Sequence, residues 1–308
     1  MSRRGLLLFA AMCVIWGIPY LFIRIAVHEI SPSVLVFIRT GVAALILLPI
    51  AFTRGGGLRG VRGAWPWIVV FAAVEVGGPW LALSSAEQQI SSALAGLLIS
   101  AVPLATFLFG IAFRTRQRIG PVNLTGLLVG LAGVALIVGF DLRASNVVAI
   151  AEMAVVVVGY SLGPTIFSRY LSSVPSVTVN GIALALCCVG YAPVAFVQWP
   201  HSVPSAGVFG AIAVLALVCT ALAFLLYFEL VKEVGPVRAS VITYVNPAVA
   251  AVLGVLVLGE SLTLGMLFGF ALVLAGSALA TRLPGRSPEG RMIRVPEDPG
   301  QVGEGVPR

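Results

Sequence analysis

The chain has 308 residues, of which 59% are hydrophobic and only 10% charged, with a mean hydropathy of +1.06. This excludes a water-soluble domain, whose surface needs about a quarter charged residues. The net charge of +7 does not point to nucleic acid, because the arginines are scattered through short segments between apolar stretches.

Ten apolar stretches of lipid-crossing length follow one another, and helices are expected in all of them, since helices satisfy every backbone polar group internally. They lie near Gly5 to Val27, Ser33 to Phe52, Trp65 to Ser85, Ser91 to Phe113, Leu124 to Gly139, Val147 to Tyr170, Ser176 to Val197, Ala206 to Val231, Val237 to Leu258 and Leu262 to Thr281. The first is full length and lacks a small-residue cleavage site, so it reads as a retained span and not a signal peptide. Trp65, Trp67 and Trp199 fall at span ends and read as interfacial anchors.

Span four runs from Ala93 through small residues to Pro103, and span nine does the same from Val237 to Pro247, 144 residues later. Spans five and ten each open with spaced glycines, Gly126, Gly130 and Gly133 against Gly265, Gly269 and Gly276. The echoes predict a duplication: residues 1–140 form one five-span repeat and 141–283 a second. Five crossings leave the chain on the far face, so the copies are inverted, an arrangement that builds a central site in many transporters. Pro103 and Pro247 each remove a backbone donor and are expected to kink their helices. The glycines read as packing seams, within the chain or between two protomers of a homodimer.

Arg3, Arg4, Arg54, Arg59, Arg62, Arg114, Arg116, Arg118, Arg169, Lys232, Arg238, Arg282 and Arg286 fall on one side of the membrane, against Arg24 and Arg143 on the other. By the positive-inside bias, both termini are expected in the cytoplasm. From Pro284 to Arg308 the composition turns to Pro, Gly, Arg and Glu, predicting a disordered cytoplasmic tail. All four cysteines lie inside spans and the two histidines, His28 and His201, are far apart, so no metal or disulfide is expected. No phosphate-cradling glycine loop precedes a lysine, which excludes an ATPase within this chain.

The residues resemble the drug/metabolite transporter superfamily, specifically the EamA type with ten helices in two five-helix repeats. The likeness covers residues 5 to 281 and rests on Trp16-Gly17, Phe37-Ile38-Arg39-Thr40, Ser91-Ser92-Ala93-Leu94-Ala95-Gly96 with Pro103, and Asn246-Pro247 through Gly259-Glu260. It implies export of small metabolites, amino acids or drugs across the inner membrane. The chain departs from the family pattern where Arg114 replaces a glutamate after span four, where Gly159-Tyr160 replaces an aromatic pair opening span six, and where Arg24 replaces a lysine.

An ionisable side chain in hydrocarbon costs ~2.5 to 3.5 kcal/mol on insertion scales, so Arg39, Glu75 and Glu152 are candidates for coupling or gating. Arg39 and Glu152 share a depth in opposite repeats, which suggests a pair bridging the halves. Desolvation makes Glu75, beside Gly77, Gly78 and Pro79, the better proton carrier for antiport, while a structural salt bridge from Arg39 to either acid remains the alternative. Among Trp16, Tyr20, Trp80, Gln89, Tyr160, Asn180, Tyr227, Tyr244 and Asn246, we favour Trp16, Tyr20, Tyr160, Tyr244 and Asn246 as substrate-binding residues, because spans one, four, six and nine are expected to meet near the repeat axis. The sequence therefore predicts an all-α secondary transporter with no cofactor, whose partners are a small-molecule substrate and membrane lipid. The alternative, a membrane-embedded enzyme acting on a lipid or lipid-linked substrate, rests on Arg24, His28 and Glu29 at the outer end of span one.

Overall fold

The computed structural model describes residues 2–54, 57–58, 60–112, 120–139 and 147–281. Arg59, Arg114, Arg116, Arg118, Arg143, Arg282, Arg286 and the tail from Pro284 to Arg308 lie outside the described residues. All elements among the described residues are helical. Eight helical stretches are long and apolar enough to cross a membrane: Arg3–Ala26, Pro32–Thr53, Val61–Ala86, Ser92–Ala112, Pro121–Gly139, Val147–Leu171, Ser176–Val197 and Ala206–Val234. Two shorter ones, Ile242–Leu258 and Leu264–Ala280, have 17 residues each, or about 26 Å of helix, enough to complete a ten-span bundle. The outward faces of the spans are aliphatic, as at Leu45 in span two and Leu256 in span nine, which lipid and not water would cover.

Several spans are interrupted. Span one breaks at Trp16-Gly17-Ile18, between helices Arg3–Ile15 and Pro19–Ala26. Span four breaks at Ser100-Ala101, just before Pro103, into Ser92–Ile99 and Val102–Ala112, so this proline acts as its chemistry predicts. Pro247 does not. It lies inside Ile242–Leu258, and span nine is interrupted earlier, at Ser240-Val241, where Val241 and Thr243 bond three residues back in tighter turns. Spans three, six and eight contain wide π-type turns at Ala72–Gly77, Phe167–Leu171 and Val214–Leu222. Such turns concentrate at functional sites, because the extra residue per turn re-aims side chains.

Helix pairing follows a five-span exchange. Span five packs on ten, two on seven, four on nine, three on six and one on eight. Exchanging each span with the one five places on returns the same set: the first three pairs map onto themselves and the last two onto each other. The glycine seam joins spans five and ten of one chain. A Cβ added at Gly133 would fall 2.6 Å from the Gly269 carbonyl, and one at Gly269 2.7 Å from that of Gly133. We therefore expect Gly276→Val, whose side chain would run into the Gly126 and Gly130 backbone, to destabilise the bundle by about 1–3 kcal/mol or more, read as a lower melting temperature and membrane yield.

Arg3, Arg4, Arg62, Arg169, Lys232 and Arg238 gather at one end of the bundle. A single apolar cluster draws residues from all ten spans; it fills the opposite end, with Ile23, Leu35, Leu83, Leu94, Met153, Ala195 and Leu215, and continues along spans four, five and ten to Phe107, Leu127 and Ala280. Towards the arginine-rich end the core divides. One cluster, built on Leu47, Ile68, Phe71, Leu171 and Leu184, holds spans two, three, six and seven together and takes in Ala221 of span eight; another, built on Met12, Cys13, Ala223, Leu230 and Ile242, holds spans one, eight and nine. The core is thus one cluster at the sealed end and several clusters towards the arginine-rich end, where span eight is common to two of them.

Candidate functional site

Two carboxylates lock the sealed end. Glu260, after span nine, accepts hydrogen bonds from the Ser92 N–H (2.8 Å), the Ala93 N–H (2.9 Å) and the Ser92 hydroxyl (3.0 Å), capping the first turn of span four. The exposed N–H groups and dipole of a helix start favour an anion there. Glu29, between spans one and two, accepts from the Ser205 N–H and hydroxyl at 2.6 Å each, at the start of span eight. Each carboxylate belongs to one half and the helix it caps to the other. The Ser33 hydroxyl adds a bond to Gln198 Oε1 at 2.7 Å, and the Arg24 guanidinium donates to the Glu87 carbonyl.

The Ser205 hydroxyl, followed by the Ser205 N–H, holds the Glu29 carboxyl below its ordinary value. A carboxyl with a depressed folded-state value stabilises the fold above its unfolded value and loses that contribution as pH falls through the depressed one. Acidification below about pH 4 should therefore lower the melting temperature less in Ser205→Ala than in the parent chain.

Between the sealed end and the divided core, a polar network crosses the bundle. Arg39, only 7% exposed, lies with its guanidinium 3.8 Å over the Trp80 ring, and its Nε donates to the Thr220 hydroxyl at 2.8 Å. That hydroxyl donates in turn to the Leu215 carbonyl five residues back, inside the π turn of span eight. Cys219, Tyr160, Tyr20 and Glu87 lie in the neighbourhood of the guanidinium. Tyr160 interacts with both Arg39 and Glu75, and Tyr227 with Glu75. Trp16 completes the line, with Tyr227 at 4.8 Å and Phe224 at 6.4 Å between ring centroids.

Glu75 sits in the π turn of span three, and its buried Oε2 has no hydrogen-bond partner. The turn aims it at span six, where Gly163 leaves the necessary room: a Cβ at that position would overlap the carboxyl. A charged group this deep needs a counter-charge, a proton or a ligand.

The predicted residues are only partly brought together. Trp16, Tyr20, Tyr160, Arg39 and Glu75 belong to the network. Arg39 pairs with neither Glu152 nor Glu75: among the described residues the ion pairs are Arg4 to Glu229 (2.9 Å) and Glu229 to Lys232 (3.0 Å), at the arginine-rich surface. Equal depth fixed one coordinate only, and the arginine turned to Trp80 and Thr220 instead. Glu152 keeps a buried Oε2 without a partner. The Asn246 amide, oriented to suit its neighbours, donates to the Ile242 carbonyl at 2.9 Å and the Cys13 carbonyl at 3.1 Å, joining spans nine and one. Tyr244 is partly exposed outside the network. Trp80 and Tyr227, which ranked behind the favoured five, lie inside it; Thr220 and Glu87 carried no sequence signal beyond their residue type.

The sequence profile of the EamA-like transporter family matches the chain twice, over residues 3–139 and 148–282. The chain belongs to the EamA-like transporter family. Two EamA-like units in one chain fit the exchange symmetry of the helix pairs. The chain is 26% identical over 287 residues to the "Uncharacterized inner membrane transporter YedA" of Escherichia coli strain K12, covering 89% of this chain and 92% of that protein. It is 28% identical over 273 residues to the aromatic amino acid exporter YddG of Ancylobacter novellus, covering 83% and 90%. A solved crystal structure superposes with a TM-score of 0.65 at 25% identity, covering 91% of this chain and 98% of that one.

Proposed function

We propose that this protein is a secondary transporter of the inner membrane, exporting a small metabolite, amino acid or drug-like compound by alternating access between two inverted repeats, residues 1–140 and 141–283. The observation that supports this reading is the core, continuous at one end and divided into separate clusters towards the other, with a buried polar network where the two regions meet. The arginine-rich end, with both termini, faces the cytoplasm by the positive-inside bias, so the divided end of the core faces inwards.

The solute enters between the two inner clusters and meets an aromatic side, Trp16, Phe224 and Tyr227, opposite Glu75 and Tyr160. An aromatic or aliphatic body lies against the rings, and a positively charged or proton-donating group meets the unpartnered Glu75 carboxyl. The relative named as an aromatic amino acid exporter supports an amphipathic solute of this kind. Glu75 binds either the solute or a proton, which is the minimum needed for antiport.

The enzymatic alternative loses its residues to structural roles: Arg24 is engaged with the Glu87 carbonyl and Glu29 with Ser205. The test is reconstitution in liposomes with counterflow of amino acids and cationic drugs, with and without a pH gradient. Net solute movement supports transport; none for any compound, with chemical turnover of a lipid, would contradict it.

A further inference from the structure

Glu87 is the first residue beyond span three, at the sealed end, and the transport reading gives it no task. It is 0% exposed, and both carboxyl oxygens are buried without a hydrogen-bond partner. Its backbone is fully used: the N–H bonds to the Leu83 carbonyl, and the carbonyl accepts from Arg24. The titratable groups near the carboxyl are Arg24 and Tyr20 on span one, Arg39 on span two, Tyr160 on span six and Glu260 on the loop after span nine. Neither arginine forms an ion pair with it, since Arg24 is spent on the Glu87 carbonyl and Arg39 on Thr220 and Trp80. Glu260, bound to the start of span four, is a second acid that disfavours a second negative charge.

A carboxylate stripped of water, unbonded at both oxygens and close to another acid costs more to hold ionised than arginines that form no ion pair with it return. We propose that Glu87 is a proton-binding site: it takes up a proton as the sealed end closes over it and releases that proton when the end opens to water. No covalent chemistry is involved; the proton exchanges between the carboxyl and water on that face. Burial pushes the Glu87 carboxyl well above the ordinary carboxylate range, in the sense the geometry requires.

The sign follows from linkage. A group that binds its proton more tightly in the closed form favours closure at low pH. Between the ordinary carboxylate value and the raised one, each pH unit shifts the balance towards the open form by up to about tenfold. The opening step rests on the alternating-access reading, whereas protonation of the closed form does not.

Two measurements on the full chain in vesicles test the site. In infrared spectra of Glu75→Gln, which removes the other buried acid of span three, a protonated-carboxyl band should persist to neutral pH and vanish when Glu87→Gln is added, while Glu87→Asp retains it. In the parent chain carrying Ala26→Cys, a fully buried position at the sealed end, the rate of modification by an impermeant maleimide applied to that face, divided by the rate for Ser202→Cys, an exposed position there that corrects for the thiol's own ionisation, should rise at least about tenfold from pH 5 to pH 8. With Glu87→Gln added it should stay low at every pH, and Glu87→Asp should restore the rise. A band unaffected by Glu87→Gln, or labelling whose pH dependence survives it, overturns the proposal. Labelling that is absent at every pH in the parent chain counts against alternating access itself and leaves the infrared result to decide the proton site.

Discussion

Glu75→Gln should lower gradient-driven transport by about tenfold or more, since the ~2.5–3.5 kcal/mol on which a membrane-buried charge is felt exceeds the 1.4 kcal/mol per factor of ten. The physical ground is the unpartnered Oε2 in the π turn of span three, with Tyr160 and Tyr227 in its neighbourhood. Glutamine keeps the shape that Gly163 accommodates but cannot exchange a proton, so the protein should remain folded in the membrane. Measured in proteoliposomes, flux should lose its dependence on an imposed pH gradient, while any remaining solute exchange becomes insensitive to pH. Unchanged pH dependence would remove Glu75 from the coupling.

Glu260→Ala should act at the other side of the network, by releasing the sealed end. The carboxylate makes three bonds to the first turn of span four. Bonds to a charged group contribute roughly 1.5–3 kcal/mol, so the loss should favour opening by about ten- to a hundredfold. The readout is impermeant labelling of Ala26→Cys from that face, faster by that factor in Glu260→Ala and by less in Glu260→Gln, which keeps one acceptor. In the sequence, Arg114, outside the described residues, takes the place that Glu260 has in the second half. Equal labelling rates in Glu260→Ala and the parent chain would mean that the cap is packing detail and not a gate.

Much of this architecture is legible in the chain. Ten apolar runs, the paired glycine series and the break before Pro103 follow from rules that act within one helix: lipid-length hydrophobicity, close approach of small residues and a missing backbone donor. Sequence reasoning fails where an outcome depends on which helices touch. Pro247 looks equivalent to Pro103, yet span nine yields earlier, at Ser240-Val241. Depth alone pairs Arg39 with Glu152, and depth does not say which way a long side chain turns. The π turns that aim Glu75 and Thr220 have no periodic signature, since one extra residue per turn leaves the apolar pattern intact. Glu87 looks like a loop acid in sequence; only the packing of spans one and three and the neighbouring Glu260 reveals it as fully enclosed.

The most direct measurement is the sidedness of the two half-starts. Cysteines introduced as Ser2→Cys and Ser145→Cys, labelled with an impermeant reagent in intact cells and in inverted vesicles, should react from opposite faces: Ser145→Cys in intact cells and Ser2→Cys in inverted vesicles. Reaction of both from one face would mean that the halves are inserted in the same direction, and a passage between two inverted repeats could not exist.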